Sequence, residues 1–192
     1  RIQQLDDALV DQIAAGEVVE RPSSVVKELL ENSLDAGATT ISVEIVEGGR
    51  ERIRIVDDGM GMDPEDAAMC VKRHATSKIR TLQDLEIVQT MGFRGEALAA
   101  IASVSRFRLV TRARDAVQGT EVVVHGGAPA VLKPVGCPPG TSIEIDELFY
   151  NLPVRRNFLR ARTTEAAHVG RTCFDVALAH PELRLSYTSN GR

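Results

Sequence analysis

Apolar residues recur along this chain with two different periods, and the switches between them lay out the elements. Over residues 25–37, VVKELLENSLDAG, Val25, Val26, Leu29, Leu30 and Leu34 fall at spacings that put them on one helical stripe. Pro22, Ser23 and Ser24 supply a start signal and Gly37 a stop. Ile41, Val43 and Ile45 then alternate with polar residues, Gly48-Gly49 turns the chain, and Ile53 and Ile55 alternate again, which predicts a β-hairpin. Residues 64–72 have helix composition, with Pro64 at the start and Glu65 and Asp66 in the first turn. A short helix over 82–85 and an alanine-rich helix over 97–104 follow. Strands are expected over 107–111, 120–124, 131–135 and 142–148, forming with the hairpin one mostly antiparallel sheet. Residues 151–159 read as a short turn or helix. Residues 163–178 read as a longer helix capped by Thr163 or Thr164, whose apolar positions cover one sheet face. At the front, 2–5 reads as an extended arm and Asp6 or Asp7 as the cap of a helix reaching Ala15. A last strand over 184–188 leads into Asn190-Gly191, a strong hairpin-turn signal. That turn without a partner strand, and a first residue other than Met, suggest an excerpt of a longer protein.

Composition narrows the class. With 192 residues, 43% of them hydrophobic, the chain can bury a real core, most simply in one domain. It has no apolar run of ~18 residues and no basic-then-apolar leader, so no membrane partner is expected and a cytoplasmic address is the default. Cys70, Cys137 and Cys173 are odd in number and far apart, which fits reduced thiols better than disulfides or zinc. The net charge of −4 argues against coating DNA by bulk charge. Two arginine clusters stand out, Arg106, Arg108, Arg112 and Arg114, and Arg155, Arg156, Arg160 and Arg162. Each reads as a solvated face or as a local phosphate-backbone footprint.

Four stretches carry candidate chemistry. Glu28 and Asn32 are four apart on the predicted helix and share a face, one a possible base and the other a neutral oxygen ligand. Asp57-Asp58-Gly59-Met60-Gly61-Met62 follows a strand; its glycines let backbone approach a ligand, and a carboxylate there can accept from an amino group. Thr76, Ser77 and Lys78 suit a phosphate or any exposed loop. Gly92, Phe93, Arg94, Gly95, Glu96, Ala97 and Leu98 lead into a helix, an anion site in principle. Neither glycine loop is a Walker A or a dinucleotide fingerprint.

Read in order, QIAAGEVVERPSSVVKELLENSLDAGA, DDGMGM, RHATSKI, GFRGEALAAIASVS and GTSIEIDELFYNLPVRRNFL resemble the N-terminal ATPase region of the MutL family of DNA mismatch-repair proteins. That family lies within the GHKL ATPases. The resemblance covers most of the chain, and GFRGEAL and LFYNLPVRRNFL look specific to MutL. It implies an α/β (α+β) two-layer sandwich, the GHKL or Bergerat ATP-binding fold, with a mixed, mostly antiparallel sheet covered by helices on one face. It implies residues 1–192 as an N-terminal ATPase domain, with 1–20 as an N-terminal arm and helix, ahead of a second domain and a C-terminal dimerisation domain. By the same resemblance Glu28 would be the general base and Asn32 would hold Mg²⁺ against the phosphates of ATP. Asp57 would accept the adenine amino group. Gly59 and Gly61 would give the base room, Thr141 would lie beside the adenine, and Ala36 and Met62 would also bind the nucleotide. Thr76, Ser77, Lys78 and Gly92 through Leu98 would form a lid over the phosphates. Many family members carry Asn where Asp58 stands, with no loss of binding expected here. Hydrolysis by this stretch alone is expected to be weak.

The function implied is Mg²⁺-dependent ATP binding and slow hydrolysis that switches dimerisation and clamp state in mismatch repair. The partners implied are ATP, a second copy on ATP binding, a mismatch-recognition protein and other repair proteins, and DNA weakly and without sequence preference, in a bacterial cytoplasm near the nucleoid. One alternative is a nucleotide-sensing DNA-binding module in which turnover is incidental. A gyrase-type or kinase-type relative is disfavoured by GFRGEAL and by the lack of a phospho-acceptor histidine region. A purely DNA-binding domain would show salt-steep, nucleotide-independent affinity.

Overall fold

The computed structural model describes residues 19–72 and 96–192. In chain order these form α1 (Pro22–Asp35), β1 (Thr40–Val46), β2 (Arg52–Asp57), α2 (Pro64–Met69), α3 (Ala97–Ser103) and β3 (Arg106–Arg112). They continue with β4 (Gly119–His125), β5 (Val131–Val135), β6 (Gly140–Asp146), α4 (Pro153–Phe158), α5 (Arg162–Ala179) and β7 (Arg184–Ser189). The expected arm, the helix reaching Ala15 and the short helix over 82–85 lie outside the described residues.

Seven strands make one sheet in the order β5-β4-β3-β6-β2-β1-β7. Every pairing is antiparallel except β1 with β7, which is parallel. The alternation of the sequence sets the register. Val43 faces Ile55, Ile55 faces Ile143, Ile143 faces Leu109 and Leu109 faces Val122, a continuous apolar row across five strands. All five side chains are buried, and the helices cover this face. Helix α1 buries Val25, Val26, Leu29 and Leu30, while α5 adds Val169 and Cys173 and α3 adds Ile101. Each such side chain contributes about 1.5–3 kcal/mol by leaving water.

The opposite face is a charge ladder. Glu44 pairs with Arg54, Arg54 with Glu144, Glu144 with Arg108, and Arg108 with Glu121, which also meets Lys133 at 2.6 Å. A second row joins Arg52 to Asp146 at 2.7 Å and Arg106 to Glu147. This face accounts for half of the first arginine cluster. Arg112 and Arg114 instead donate to the carbonyls of Ala116 and Asp58.

Among the boundaries that differ from expectation, two have visible reasons. The strand predicted over 142–148 ends at Asp146, because Glu147 and Phe149 adopt φ of 53° and 62° and turn the chain inward, burying Leu148 and Phe149. Helix α5 begins at Arg162 with Ala161 as its N-cap and no side-chain cap, so Thr163 and Thr164 lie inside the first turn. Fully buried Glu165 instead reaches back past the N-cap and accepts from the Arg160 N–H at 2.9 Å, tying the incoming chain to the helix. At the other end, Asn190 and Gly191 both have positive φ, 51° and 76°, and Ser189 and Arg192 exchange backbone hydrogen bonds. That is the hairpin turn read from the sequence. No helix among the described residues is long and apolar enough to cross a membrane.

Candidate functional site

Strand register brings three polar residues side by side at one end of the covered face. Asp57 ends β2 and faces Thr141 of β6, which in turn faces Thr111 of β3. Adjacent strands lie about 4.8 Å apart, so these side chains form a continuous polar strip beneath the C-terminal half of α1.

The Asp57 carboxylate is held at both oxygens. Ser33 Oγ of α1 donates to Oδ2 at 2.9 Å, and the Gly59 N–H donates to Oδ1 at 3.0 Å. Burial pushes the Asp57 carboxyl above the ordinary carboxylate value, and the hydrogen bonds from Gly59, Ser33 and Thr141 pull it part of the way back. Asp58 behaves in the opposite way. Its oxygens accept from the Thr39 N–H (2.7 Å), the Thr39 hydroxyl (2.7 Å) and the Thr40 N–H (2.8 Å). Its own desolvation works against these bonds, but together they bring its carboxyl down to about 2. Asp58 therefore pins the start of β1, and Asp57 faces the strip.

The loop after β2 is tied on both sides. The Met60 N–H donates to the Ala36 carbonyl at 2.9 Å, joining the loop to the C-terminus of α1. The Met62 N–H donates to Thr111 Oγ1 at 3.0 Å, joining it to β3. Thr111 Oγ1 also lies 3.0 Å from Thr141 Oγ1 and donates to the Gly140 carbonyl at 3.1 Å. The glycines here also serve close approach within the protein. A Cβ on Gly61, whose φ is 69°, would lie 2.0 Å from the Arg112 carbonyl oxygen. A Cβ on Gly59 would lie 3.0 Å from Asp57 Oδ1 itself.

Glu28 and Asn32 sit half-buried on α1, one turn apart and leading to Ala36. Gly37, with φ of 70°, closes the helix just beyond. Further along the chain, Glu96 caps α3 with its carbonyl accepting from Ala100, and Leu98 packs on the core. Thr76, Ser77, Lys78, Gly92, Phe93, Arg94 and Gly95 lie outside the described residues. Among the described residues no group of three or more His, Cys, Asp or Glu side chains could hold a metal ion. A single amide oxygen such as that of Asn32 fits Mg²⁺ only in the manner usual for that ion, with nucleotide phosphates and water completing the shell.

Three residues of this network escaped the sequence reading: Ser33, Thr111 and Gly140. The first two had a signal. Ser33 falls three and four residues after Leu30 and Leu29, and Thr111 falls two after Leu109, so each is a polar residue at a core-facing position.

Comparison with known proteins points the same way as the geometry. The family described as histidine kinase-, DNA gyrase B-, and HSP90-like ATPase matches residues 20–128, which include Glu28, Asn32, Asp57 and Thr111. Over 192 residues the chain is 53% identical to the DNA mismatch repair protein MutL of Anaeromyxobacter sp. (strain K), covering all of this chain and 32% of that protein. It is 54% identical to the same-named protein of Syntrophotalea carbinolica, covering all of this chain and 31% of that protein. The chain thus spans about a third of the length of the curated relatives it matches. Among solved structures, the Aquifex aeolicus MutL ATPase domain complexed with ADP superposes with a TM-score of 0.74 at 40% identity, over 91% of this chain and 62% of that one.

Proposed function

The chain belongs to the histidine kinase-, DNA gyrase B-, and HSP90-like ATPases, and from that premise we propose that it binds ATP with Mg²⁺ and hydrolyses it slowly to switch a mismatch-repair clamp. The observation that carries the reading is the Asp57 carboxylate, held at both oxygens at the end of the polar strip, below a helix that carries Glu28 and Asn32. A carboxylate there accepts the 6-amino group of adenine, whereas guanine presents a carbonyl oxygen in that place. Ala36, Gly59, Gly61, Met62 and Thr141 would contact the nucleotide beside it. Glu28 takes the proton of the attacking water, and Asn32 holds the cation through an oxygen that does not titrate. Bound Mg²⁺ supplies charge neutralisation at the phosphates. Thr76, Ser77, Lys78 and the segment from Gly92 to Leu98 would contact the phosphates.

In the whole protein, nucleotide binding would favour pairing of two such regions, with residues 1–20 as the partner-facing arm and hydrolysis resetting the pair. A mismatch-recognition protein, other repair proteins and DNA would then read the clamp state. Calorimetric titration of ATP with and without Mg²⁺, on the parent and on Asp57→Asn, tests the core of this reading. We expect metal-dependent binding that weakens by about tenfold or more in the variant, as loss of a charge-assisted contact requires. Unchanged binding in Asp57→Asn would refute the adenine assignment. Glu28→Ala should retain binding and lose turnover by at least ~10²-fold, measured as phosphate release.

A further inference from the structure

Ser33 has two acceptors and one proton. Its hydroxyl lies 3.0 Å from the Leu29 carbonyl and 2.9 Å from Asp57 Oδ2, and the side chain is almost fully buried. A serine inside a helix commonly bonds back to the carbonyl four residues earlier, a local habit without functional content. Here that carbonyl already belongs to the helical ladder, while Ser33 is the one side chain that donates to Asp57 among the described residues, beside the backbone N–H groups of Gly59 and Thr141. An ionised carboxylate is also the stronger acceptor, so the proton goes to Asp57.

The geometry points to Ser33 as a positioning residue that sets base selectivity: it fixes the carboxylate plane of Asp57 so that the remaining acceptor lone pairs face an incoming 6-amino group. Two donors on two different oxygens leave the carboxylate no free rotation. The Gly59 N–H holds Oδ1 from the loop, and Ser33 holds Oδ2 from the helix. A Cβ at position 59 would crowd Ala36 Cβ at 2.9 Å and Asp57 Oδ1 at 3.0 Å. Without Ser33 the group keeps only the backbone donors of Gly59 and Thr141 and loses its tether to the helix, so its lone pairs are held less firmly in one direction. Ser33 acts through Asp57 and touches no reacting atom, and its role rests on Asp57 being the adenine acceptor.

Binding of two nucleotides isolates this role. ATP and the triphosphate of unsubstituted purine riboside differ only at position 6, where the second has hydrogen in place of the amino group. Their affinities are measured by calorimetry with Mg²⁺ on the parent, Ser33→Ala, Asp57→Asn and the double variant. Ser33→Ala should weaken ATP roughly fivefold to tenfold and leave the purine riboside triphosphate within about twofold. In the Asp57→Asn background the serine change should then have no further effect on ATP. Equal weakening of both nucleotides by Ser33→Ala, or none of either, would overturn the positioning role and leave the Asp57 assignment standing. Equal binding of both nucleotides by the parent would remove the adenine assignment and this role with it. Should Ser33→Ala melt below the working temperature, Ser33→Cys, which keeps a weak donor of similar size, serves in the same comparison with a smaller loss for ATP alone.

Discussion

Asp57 and Asp58 are covalent neighbours that respond to pH with opposite sign. Asp57 is pushed above the ordinary value of 3.8 by burial, so its protonated form is favoured in the folded chain. A carboxyl raised in this way contributes stability at pH below its ordinary value, and that contribution is lost as pH rises through the folded value. Asp57→Asn should therefore raise the melting temperature of nucleotide-free protein at pH 7 and do little near pH 3.5, as followed by circular dichroism. Asp58, held down at about 2 by Thr39 and Thr40, contributes stability above 3.8 that fades as pH falls toward 2. Asp58→Ala should lower the melting temperature at pH 7, with the penalty shrinking between pH 4 and pH 2. If both substitutions shifted stability in the same direction at pH 7, the division of labour between the two carboxylates would be wrong. Burial also holds the thiols of Cys70 and Cys173 protonated, at about 12 and about 11, which makes them poor nucleophiles.

At the scale of elements, the loop from Asp58 to Asp63 depends on backbone approach more than on side chains. Gly61→Ala would put a methyl carbon against the Arg112 carbonyl in a conformation that L residues avoid. We expect a loss of at least ~1 kcal/mol by denaturant melts and weaker ATP binding, because Met62 would leave Thr111. Helix α1, by contrast, is held by its apolar stripe, and Leu30→Ala should cost ~2–5 kcal/mol. The stripe of α1 and the alternation in β1, β2, β3 and β6 were legible because one face of each is buried, so burial wrote itself into the sequence. What was not legible came from contacts between distant segments. The inward turn at Glu147 and Phe149 follows a strand pattern that continues through Leu148, and the entry to α5 is tied down by Glu165 from inside the helix instead of by a side-chain cap at its start. The same holds at the site. Asp57 could be proposed from its place at a strand end, and Ser33 carried the signal of a polar residue on a core-facing stripe, but that the two are partners became recognisable only when the sheet placed β2 under α1. The parallel pairing of β1 with β7 had no local signal either.

At the scale of the whole molecule, the sheet separates an apolar layer from a face of paired charges. Glu144 sits between Arg54 at 3.2 Å and Arg108 at 3.4 Å, with its side chain 23% exposed. Glu144→Gln should cost up to ~1 kcal/mol at low ionic strength and much less in 1 M salt, read from chemical denaturation at both. Arg106 and Arg108 are engaged by acidic partners, so replacing Arg108 with Ala should leave polyanion binding nearly unchanged. The pairing of β1 with β7 has a consequence for how the chain acquires its structure. Thr40 meets Arg184, and the Glu47 N–H donates to the side chain of Asn190 across 143 residues of sequence. Such distant pairings raise contact order and slow the search for the native state. During synthesis the early strand leaves the ribosome with one edge bare and stays so until β7 arrives, an interval in which it is open to pairing with other chains and to chaperones.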